Sequence, residues 1–241
     1  MEQAIKIQNV IKKYGKKTVL NNVSMDIPKG CIYGIIGPSG AGKTTLVKLM
    51  VGAEKADGGC AEVLGRKMPN LKALQNIGYM SQSDALYADL TGGENLAFFA
   101  LLFKMARSRQ KERIAYCAGV VDLHNEMKKR VSAYSGGMKR RLALAAALIQ
   151  DPEILILDEP TVGIDPELRA GIWRELKRLK DEEGKTIIIT THVMDEAEKC
   201  DYLAMIREGV LIESGSPDEL VKQYGVDRLE DVFLKAGRDR K

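Results

Sequence analysis

The sequence predicts an α/β protein with a mainly parallel sheet core, an N-terminal antiparallel β subdomain and an inserted helical subdomain. Three observations lead to this prediction. Runs that are apolar on both faces, such as CIYGIIG and EILILDE, alternate with helical segments, as in sheets covered on both sides. Two strand-like runs near the N-terminus flank the turn-rich KYGKK. Residues 93–149 are mostly helical in pattern, without a strand-like run.

Each element follows from its local pattern of apolar residues and turn formers. Strands are predicted where short β-type or wholly apolar runs occur, at residues 4–11, 18–27, 31–37, 60–64, 76–80, 153–159, 186–191, 202–207 and 210–214. The last two form a closing hairpin around Glu208-Gly209. Helical patterns occupy residues 43–51 and 166–182, and the helical subdomain is placed at 87–145. The chain is therefore interpreted as one domain (residues 1–241), in which 1–86 and 146–224 form the core and 225–241 a C-terminal extension.

Composition bounds the class of protein. The 241 residues carry a formal net charge of +4 and are 45% hydrophobic, which is ordinary for a globular protein and does not indicate nucleic-acid binding. The longest apolar runs have eight residues, whereas a membrane-spanning helix needs about 20. The start MEQAIKIQ lacks the apolar stretch of a signal peptide. Four scattered cysteines show no metal-ligand spacing and are expected to be reduced thiols. We expect a cytoplasmic protein that reaches a membrane only through a partner.

The segment GPSGAGKTT matches the phosphate-loop pattern G-x-x-x-x-G-K-[ST] between a predicted strand and a predicted helix. Glycines allow the tight bend that aims successive N–H groups at phosphate oxygens, and the helix N-terminus adds positive potential. A glycine-rich turn with a chance lysine is the alternative, and it would not require the complete spacing. The predicted nucleotide-binding residues are Gly37, Pro38, Ser39, Gly40, Ala41, Gly42, Lys43, Thr44 and Thr45, and the Thr44 hydroxyl is a predicted Mg²⁺ ligand.

Two acids and a histidine follow buried strands. Asp158 and Glu159 end EILILDE, where Asp158 suits Mg²⁺ binding and Glu159 suits polarising an attacking water. Acids at a strand end are otherwise usually solvated, and the phosphate loop in the same chain favours the functional interpretation. His192 follows TIIITT, whose end should lie beside the phosphate loop, although a lone histidine is often only a polar surface residue.

The stretch YSGGMKRRL places three cations, Lys139, Arg140 and Arg141, in the first turn of a predicted helix. The N-terminus of a helix is already positive, so acids are expected there instead. Either the cations face an anion outside the chain, or they extend into solvent or pair with acids elsewhere. Ser135 would in any case serve as the helix N-cap.

Taken together, these motifs resemble the ATP-binding subunit of ABC (ATP-binding cassette) transporters over nearly the whole chain. The resemblance implies that 37–45 is the Walker A loop of a P-loop NTPase and that 158–159 are the Walker B aspartate and the catalytic glutamate. It implies further roles for the adenine-stacking Tyr14, the Q-loop Gln82 near Mg²⁺ and water, the signature Ser135, Gly136 and Gly137, the D-loop Asp165 and the switch residue His192. The signature departs from the common L-S-G-G-Q at Tyr134 and Met138. YSGGM followed by basic residues, with LEDVFLKAG near the C-terminus, resembles the drug-, polysaccharide- and ion-exporting branch.

The resemblance also implies a mechanism and partners. Two copies are expected to form a head-to-tail homodimer that traps MgATP between one phosphate loop and the other copy's signature. The cations of the signature helix would then find their counter-charge in the triphosphate. A separate transmembrane permease subunit is expected in a groove near residues 82–103, where Phe98, Phe99 and Phe103 are alternatively helical core. The expected function is an ATP-hydrolysing motor that drives export from the inner face of the membrane.

Two rival functions stay open at this point. A non-transport ABC-type ATPase could act on DNA or the ribosome. DNA-organising members carry a long coiled-coil insertion between the Q-loop and the signature, and here that segment is short, without heptads. Ribosome-acting members usually join two cassettes in one chain. A regulatory nucleotide-binding module without catalysis is the second rival, and the presence of Glu159 and His192 argues against it.

Overall fold

The computed structural model of the protein describes residues 2–82 and 85–237. The last four residues of the predicted C-terminal extension therefore lie outside the described residues. The chain divides into two compact units, residues 1–73 with 186–241 and residues 74–185. The predicted subdomain boundaries stay a prediction.

The first unit contains two sheets. An antiparallel sheet has the order β2-β1-β4-β5, formed by β1 (Gln3–Tyr14), β2 (Lys17–Pro28), β4 (Gly58–Val63) and β5 (Arg66–Lys67). The second has the order β10-β9-β3-β8, formed by β3 (Ile32–Ile36), β8 (Thr186–Thr191), β9 (Tyr202–Arg207) and β10 (Val210–Gly215). Strand β3 pairs in parallel with β8 and β9, and β9 and β10 form the predicted antiparallel hairpin.

Burial explains why β3 and β8 read as continuous apolar runs. All five residues of β3 and all six of β8 are buried, so neither strand has a solvent face that would select polar residues. In contrast, β1 and β2 alternate between buried and exposed positions along much of their length. The first unit also holds the helices α1 (Lys43–Met50), α7 (Met194–Ala197), α8 (Pro217–Tyr224) and α9 (Leu229–Ala236). The short α2 (Leu71–Leu74) spans the point in the sequence at which the first unit ends and the second begins.

The second unit combines a parallel strand pair with the predicted helices. Strands β6 (Ile77–Met80) and β7 (Ile154–Asp158) pair in parallel, with Met80 opposite Leu157. The helices are α3 (Gly92–Leu102), α4 (Arg107–Val120), α5 (Gly136–Leu148) and α6 (Pro166–Glu183). Short 3-10 turns at His124–Glu126 and Val131–Ala133 lead from α4 to α5. Because parallel strands end at the same edge, the residues after β6 and β7 become neighbours.

Candidate active site

The phosphate loop connects the buried strand β3 to helix α1 in the first unit, as predicted. Pro38, Ser39 and Gly40 form its exposed tip. A Cβ on Gly37 would lie 2.1 Å from the carbonyl oxygen of Ile206, so only glycine fits there. Gly42 has φ +108, and a Cβ on it would meet Leu20 Cδ2 at 2.8 Å. Gly37 and Gly42 are therefore required by close contacts with Ile206 and Leu20 and, at Gly42, by the positive φ.

Lys43 lies across the base of this loop. Its Nζ donates to the carbonyl oxygens of Gly37 at 2.7 Å and Pro38 at 3.1 Å, and the residue is 5% exposed. The N–H of Gly209, at the tip of the β9–β10 hairpin, donates to the Ala41 carbonyl at 3.0 Å. The ammonium group is thus held within the loop that the motif assigns to phosphate, with Thr44 and Thr45 half-buried on the next turn.

Tyr14, the predicted adenine contact, ends β1 with 43% of its surface exposed. The ammonium of Lys12 lies 5.2 Å from its ring centroid and 3.0 Å from the Glu54 carboxylate. Burial, followed by the hydrogen bond with Glu54, raises the pKa of the Tyr14 hydroxyl. The hydrogen bond from Lys12 is the main cause that lowers the pKa of Glu54. Sequence reasoning missed Lys12 and Glu54, since no motif spacing links them to Tyr14.

His192 occupies the predicted edge of the sheet. Ile36 pairs with Thr191, so the phosphate loop and His192 leave neighbouring parallel strands at the same end, and this prediction is confirmed. The Thr191 hydroxyl donates to Glu196 at 2.7 Å and accepts from the Val193 N–H at 3.0 Å. This buried contact fixes the turn that leaves the His192 side chain exposed.

The second unit brings Gln82 and Glu159 together. Gln82 follows β6, and its Nε2 lies 3.4 Å from Oε2 of Glu159, which follows β7. Asp158 is fully buried at the end of β7. Glu159 has φ +52, in the left-handed region that costs a non-glycine residue about 1 kcal/mol or more. The strand pairing thus places the predicted base beside the predicted Q-loop glutamine, with a strained backbone that the sequence does not reveal.

The cations of the signature helix have an unexpected arrangement. Arg140 is 7% exposed, and its guanidinium donates to the carbonyl oxygens of Ser81, Gln82, Asp158 and Glu159. Arg141 donates to the carbonyl oxygens of Val121 and Asp122, both at 2.9 Å, near the C-terminus of α4. Neither arginine extends freely into solvent. Backbone carbonyl dipoles of the same unit receive the donors of these two residues, whereas the expected counter-charge from a triphosphate stays a prediction.

The signature itself is accessible. The Met138 N–H donates to Ser135 Oγ at 3.2 Å, which makes Ser135 the N-cap of α5. Ser135 and Gly136 are exposed, and Gly137 is half-buried. Tyr134, which replaces the common leucine, is 6% exposed, and its hydroxyl donates to the carbonyl oxygen of Glu126 at 2.7 Å. The departure at Tyr134 therefore anchors the segment that precedes the signature.

Asp165, the predicted D-loop residue, caps a second helix of this unit. Its Oδ1 accepts from the Leu168 N–H at 3.0 Å, at the N-terminus of α6, where Pro166 follows directly. The residue is exposed. Its side chain thus has a structural role that is compatible with the predicted one.

An apolar groove of about 390 Å³ lies within the second unit. Its lining includes Tyr79, Met80, Phe99, Leu102 and Phe103. Phe103 is 39% exposed, so the interpretation as helical core is wrong for this ring. Phe98 and Phe99 are half-buried and pack edge-to-face against each other, so for these two rings helical core stays a prediction. Among the described residues, no helix combines the length and the apolar character needed to cross a bilayer.

The predicted magnesium ligands are divided between the units. Thr44 belongs to the first unit, and Gln82 and Asp158 belong to the second. A hydroxyl, an amide and a carboxylate are the hard oxygen donors that Mg²⁺ prefers, and the donor set therefore fits this ion. Within residues 2–82 and 85–237, no cluster of three or more His, Cys, Asp or Glu side chains forms a separate metal site.

A phosphate loop after a parallel strand, a carboxylate pair after a second one and an exposed S-G-G helix start define a P-loop ATPase of the ABC type. The sequence profile described as "ABC transporter" matches residues 20–162, more than half of the chain. The chain therefore belongs to the ABC transporter family.

Two relatives indicate the branch. The chain is 42% identical over 230 residues to "Nod factor export ATP-binding protein I" of Burkholderia orbicola (strain AU 1054), which covers 94% of this chain and 75% of the relative. It is 39% identical over 228 residues to "Linearmycin resistance ATP-binding protein LnrL" of Bacillus subtilis (strain 168), with 93% and 73% covered. The predicted exporter branch is confirmed, and the chain is the ATP-binding subunit of such a transporter.

A solved structure supports the enzymatic class. The ATP-binding cassette MJ0796, solved as a dimer in a post-hydrolysis state with ADP and Pi, has a TM-score of 0.82 at 28% identity. The match covers 88% of this chain and 98% of that structure. The predicted ABC fold and ATP hydrolysis are confirmed, whereas the rival non-transport and regulatory classes have no support in these relatives. Proteins of this family dimerise and work with membrane subunits.

Proposed function

We propose that two copies of this chain associate head to tail and bind two MgATP, each between a phosphate loop and the signature of the other copy. The exposed Ser135 and Gly136 support this proposal, because an accessible helix N-terminus can contact an anion from a second molecule. Identical patches on both copies give a two-fold symmetric interface. In this arrangement Tyr14 stacks on adenine, and Asp165 lies near the interface.

Within each site, Glu159 orients a water for in-line attack on the γ-phosphorus, and Gln82 helps to hold that water. Lys43 and the facing signature stabilise charge on the phosphate oxygens, and His192 contacts the γ-phosphate. Thr44, Asp158 and Gln82 would hold Mg²⁺, which would neutralise phosphate charge. The single observation that carries this assignment is the contact between Gln82 and Glu159 after two parallel strands.

The apolar groove of the second unit is the proposed seat of the permease subunit. Leu102, which lines the groove, is 60% exposed, and the next residue in the chain, Leu101, is 61% exposed. Such exposure is unusual for large apolar side chains without a partner. ATP-driven closing and opening of the dimer would then act on the permease at the inner face of the membrane. We infer outward transport from the relatives named for Nod factor export and linearmycin resistance.

Replacing Glu159 with Gln tests the base assignment. Turnover should fall about 100- to 10,000-fold, because a general base contributes that range. ATP affinity should be unchanged, and the ATP-bound dimer should accumulate in size-exclusion chromatography. The matched control Glu153→Gln changes an exposed glutamate just before β7 and should retain wild-type turnover. Wild-type turnover in Glu159→Gln would refute the assignment.

A further inference from the structure

The guanidinium of Arg140 joins the two loops that carry the proposed base and the Q-loop glutamine. Nη1 donates to the carbonyl oxygens of Ser81 and Gln82, each at 3.0 Å. Nη2 donates to the carbonyl oxygens of Asp158 and Glu159, the latter at 2.5 Å. One side chain from α5 therefore contacts both loops through their backbones.

Arginine is suited to this arrangement by its shape. The guanidinium is planar and always charged, and its donors point in fixed directions, so it can serve two pairs of acceptors at once. A lysine ammonium is a compact charge with three donors and cannot reproduce the same fork. The four carbonyls thus specify an arginine and not merely a cation.

The hydrogen bonds from Arg140 restrain, above all, the backbone conformation of Glu159. A left-handed glutamate at φ +52 persists only where the surroundings stabilise it. The hydrogen bond from Arg140 Nη2 to the Glu159 carbonyl oxygen supplies such a restraint. The same guanidinium holds the Gln82 carbonyl, and the two side chains meet at 3.4 Å.

We propose that Arg140 is a positioning residue for hydrolysis, which sets the Glu159 carboxylate relative to Gln82 by holding both backbones. The proposal rests on the catalytic role proposed for Glu159. In this proposal Arg140 acts through the base and not by binding nucleotide. Its loss should therefore lower kcat and leave ATP affinity unchanged.

Arg141 provides a matched control on the next position of the helix. It makes the same type of contact, from one guanidinium to two backbone carbonyls, but at Val121 and Asp122. Arg140→Met and Arg141→Met each remove a guanidinium and retain an unbranched apolar side chain. Arg140→Lys retains the charge without the fork.

The experiment measures kcat, the Kd for ATP and the thermal midpoint of these variants. Arg140→Met should lose up to about a hundredfold in kcat, the scale on which misplacement by about 1 Å acts, with Kd within about twofold. Arg140→Lys should recover only part of kcat. Arg141→Met should keep kcat within about twofold and show its effect in the thermal midpoint. Unchanged kcat in Arg140→Met, or an equal loss in both Met variants, would overturn the proposal.

A double-mutant cycle separates positioning from general damage. If Arg140 acts through Glu159, then Arg140→Met combined with Glu159→Gln should be no slower than Glu159→Gln alone. Multiplied losses would overturn the proposal. If Arg140→Met is recovered unfolded, the cycle is run with Arg140→Lys under the same criteria. Full turnover in Glu159→Gln itself would instead refute the base assignment, so the two failures are distinguishable.

Discussion

The phosphate loop of the first unit and the Gln82–Glu159 region of the second reach their geometry by different means. The phosphate loop depends on glycines that allow close backbone approach, and its lysine bonds to carbonyls within the same nine-residue motif. The Gln82–Glu159 region depends on a side chain from another element, Arg140, and on a left-handed glutamate. The contiguous motif therefore identifies every residue of the first region, although its glycines also meet Ile206 and Leu20 from outside the motif. The second region has no contiguous motif, and its geometry depends on a side chain from another helix.

The largest effect is expected in the phosphate loop, at a glycine whose backbone conformation and close contacts leave no room for a Cβ. Gly42→Ala places a Cβ 2.8 Å from Leu20 Cδ2 and 3.0 Å from the Val19 carbonyl oxygen, at φ +108. Strain and clash together should cost about 3 kcal/mol, so ATP affinity should fall about a hundredfold by isothermal titration. Gly65→Ala, also at positive φ but in open space, should lower stability and retain ATP affinity. Wild-type affinity in Gly42→Ala would contradict this account of the loop.

The second prediction applies the same substitution to the signature. A Cβ on Gly136 meets nothing within 4 Å, so Gly136→Ala should keep the thermal midpoint and ATP affinity. Turnover should nevertheless fall on the order of tenfold, because the new methyl group would face the nucleotide of the second copy. Gly119→Ala, equally unobstructed on α4, should keep wild-type turnover. If Gly136→Ala also keeps wild-type turnover, the signature does not face the nucleotide.

Ion pairs should make the second unit sensitive to acid. Burial raises the pKa of Asp151, but the Lys185 hydrogen bond and the charges of Arg113 and Arg109 outweigh it, and the net pKa is lowered. A lowered pKa means stability that is present above the ordinary value of 3.8 and lost as pH falls through the folded value. Partial solvent screening limits the contribution to less than about 1 kcal/mol.

Asp151→Asn tests this pH dependence, and asparagine also tolerates the left-handed φ of +61 at this position. Chemical denaturation should show lower stability than wild type at pH 7 and a smaller difference at pH 3. Asp181→Asn, on an exposed aspartate of α6, should leave the pH dependence unchanged. If the stability difference between wild type and Asp151→Asn grew toward pH 3, it would contradict the lowered pKa of Asp151.

The smallest expected effect concerns the adenine contact. Glu54→Gln removes the charge that pairs with Lys12 at 3.0 Å and should loosen the cation above the Tyr14 ring. Since such pairs contribute only about 0.5 kcal/mol, ATP affinity should fall about twofold. Fluorescence titration with a nucleotide analogue would measure it, with Glu62→Gln on β4 as control. Equal ATP affinity in Glu54→Gln and Glu62→Gln would show that Glu54 does not contribute to nucleotide binding through Lys12 and Tyr14.

Local pattern was sufficient for much of the fold. Strand β8 was predicted at its observed bounds, because a strand buried on both faces is a continuous apolar run. The two-residue β5 and four-residue α2 were not predicted, since they are too short to show periodicity. Phe103 was open to interpretation as core because an apolar helix sequence does not distinguish burial inside the chain from a face prepared for a partner.

Within the site, the sequence predicted the residues that belong to motifs, but not the residues whose side chains fix the backbone around them. Gln82 and Glu159 were predicted and lie together. The contacts of Arg140 were not predicted, because its acceptors are backbone carbonyls. Every residue has such a carbonyl, so the residue types at those positions do not indicate the contact. Glu196, buried beneath the turn at His192, was missed for a similar reason, since its partner Thr191 belongs to an apolar strand.

The most direct measurement is the ATPase rate per subunit as purified protein is diluted at saturating MgATP. If a second copy completes each site, this rate should fall in proportion to concentration once monomers predominate. Glu159→Gln at the same concentrations gives the background. A rate per subunit that stays constant down to concentrations at which sedimentation detects only monomer would contradict the account.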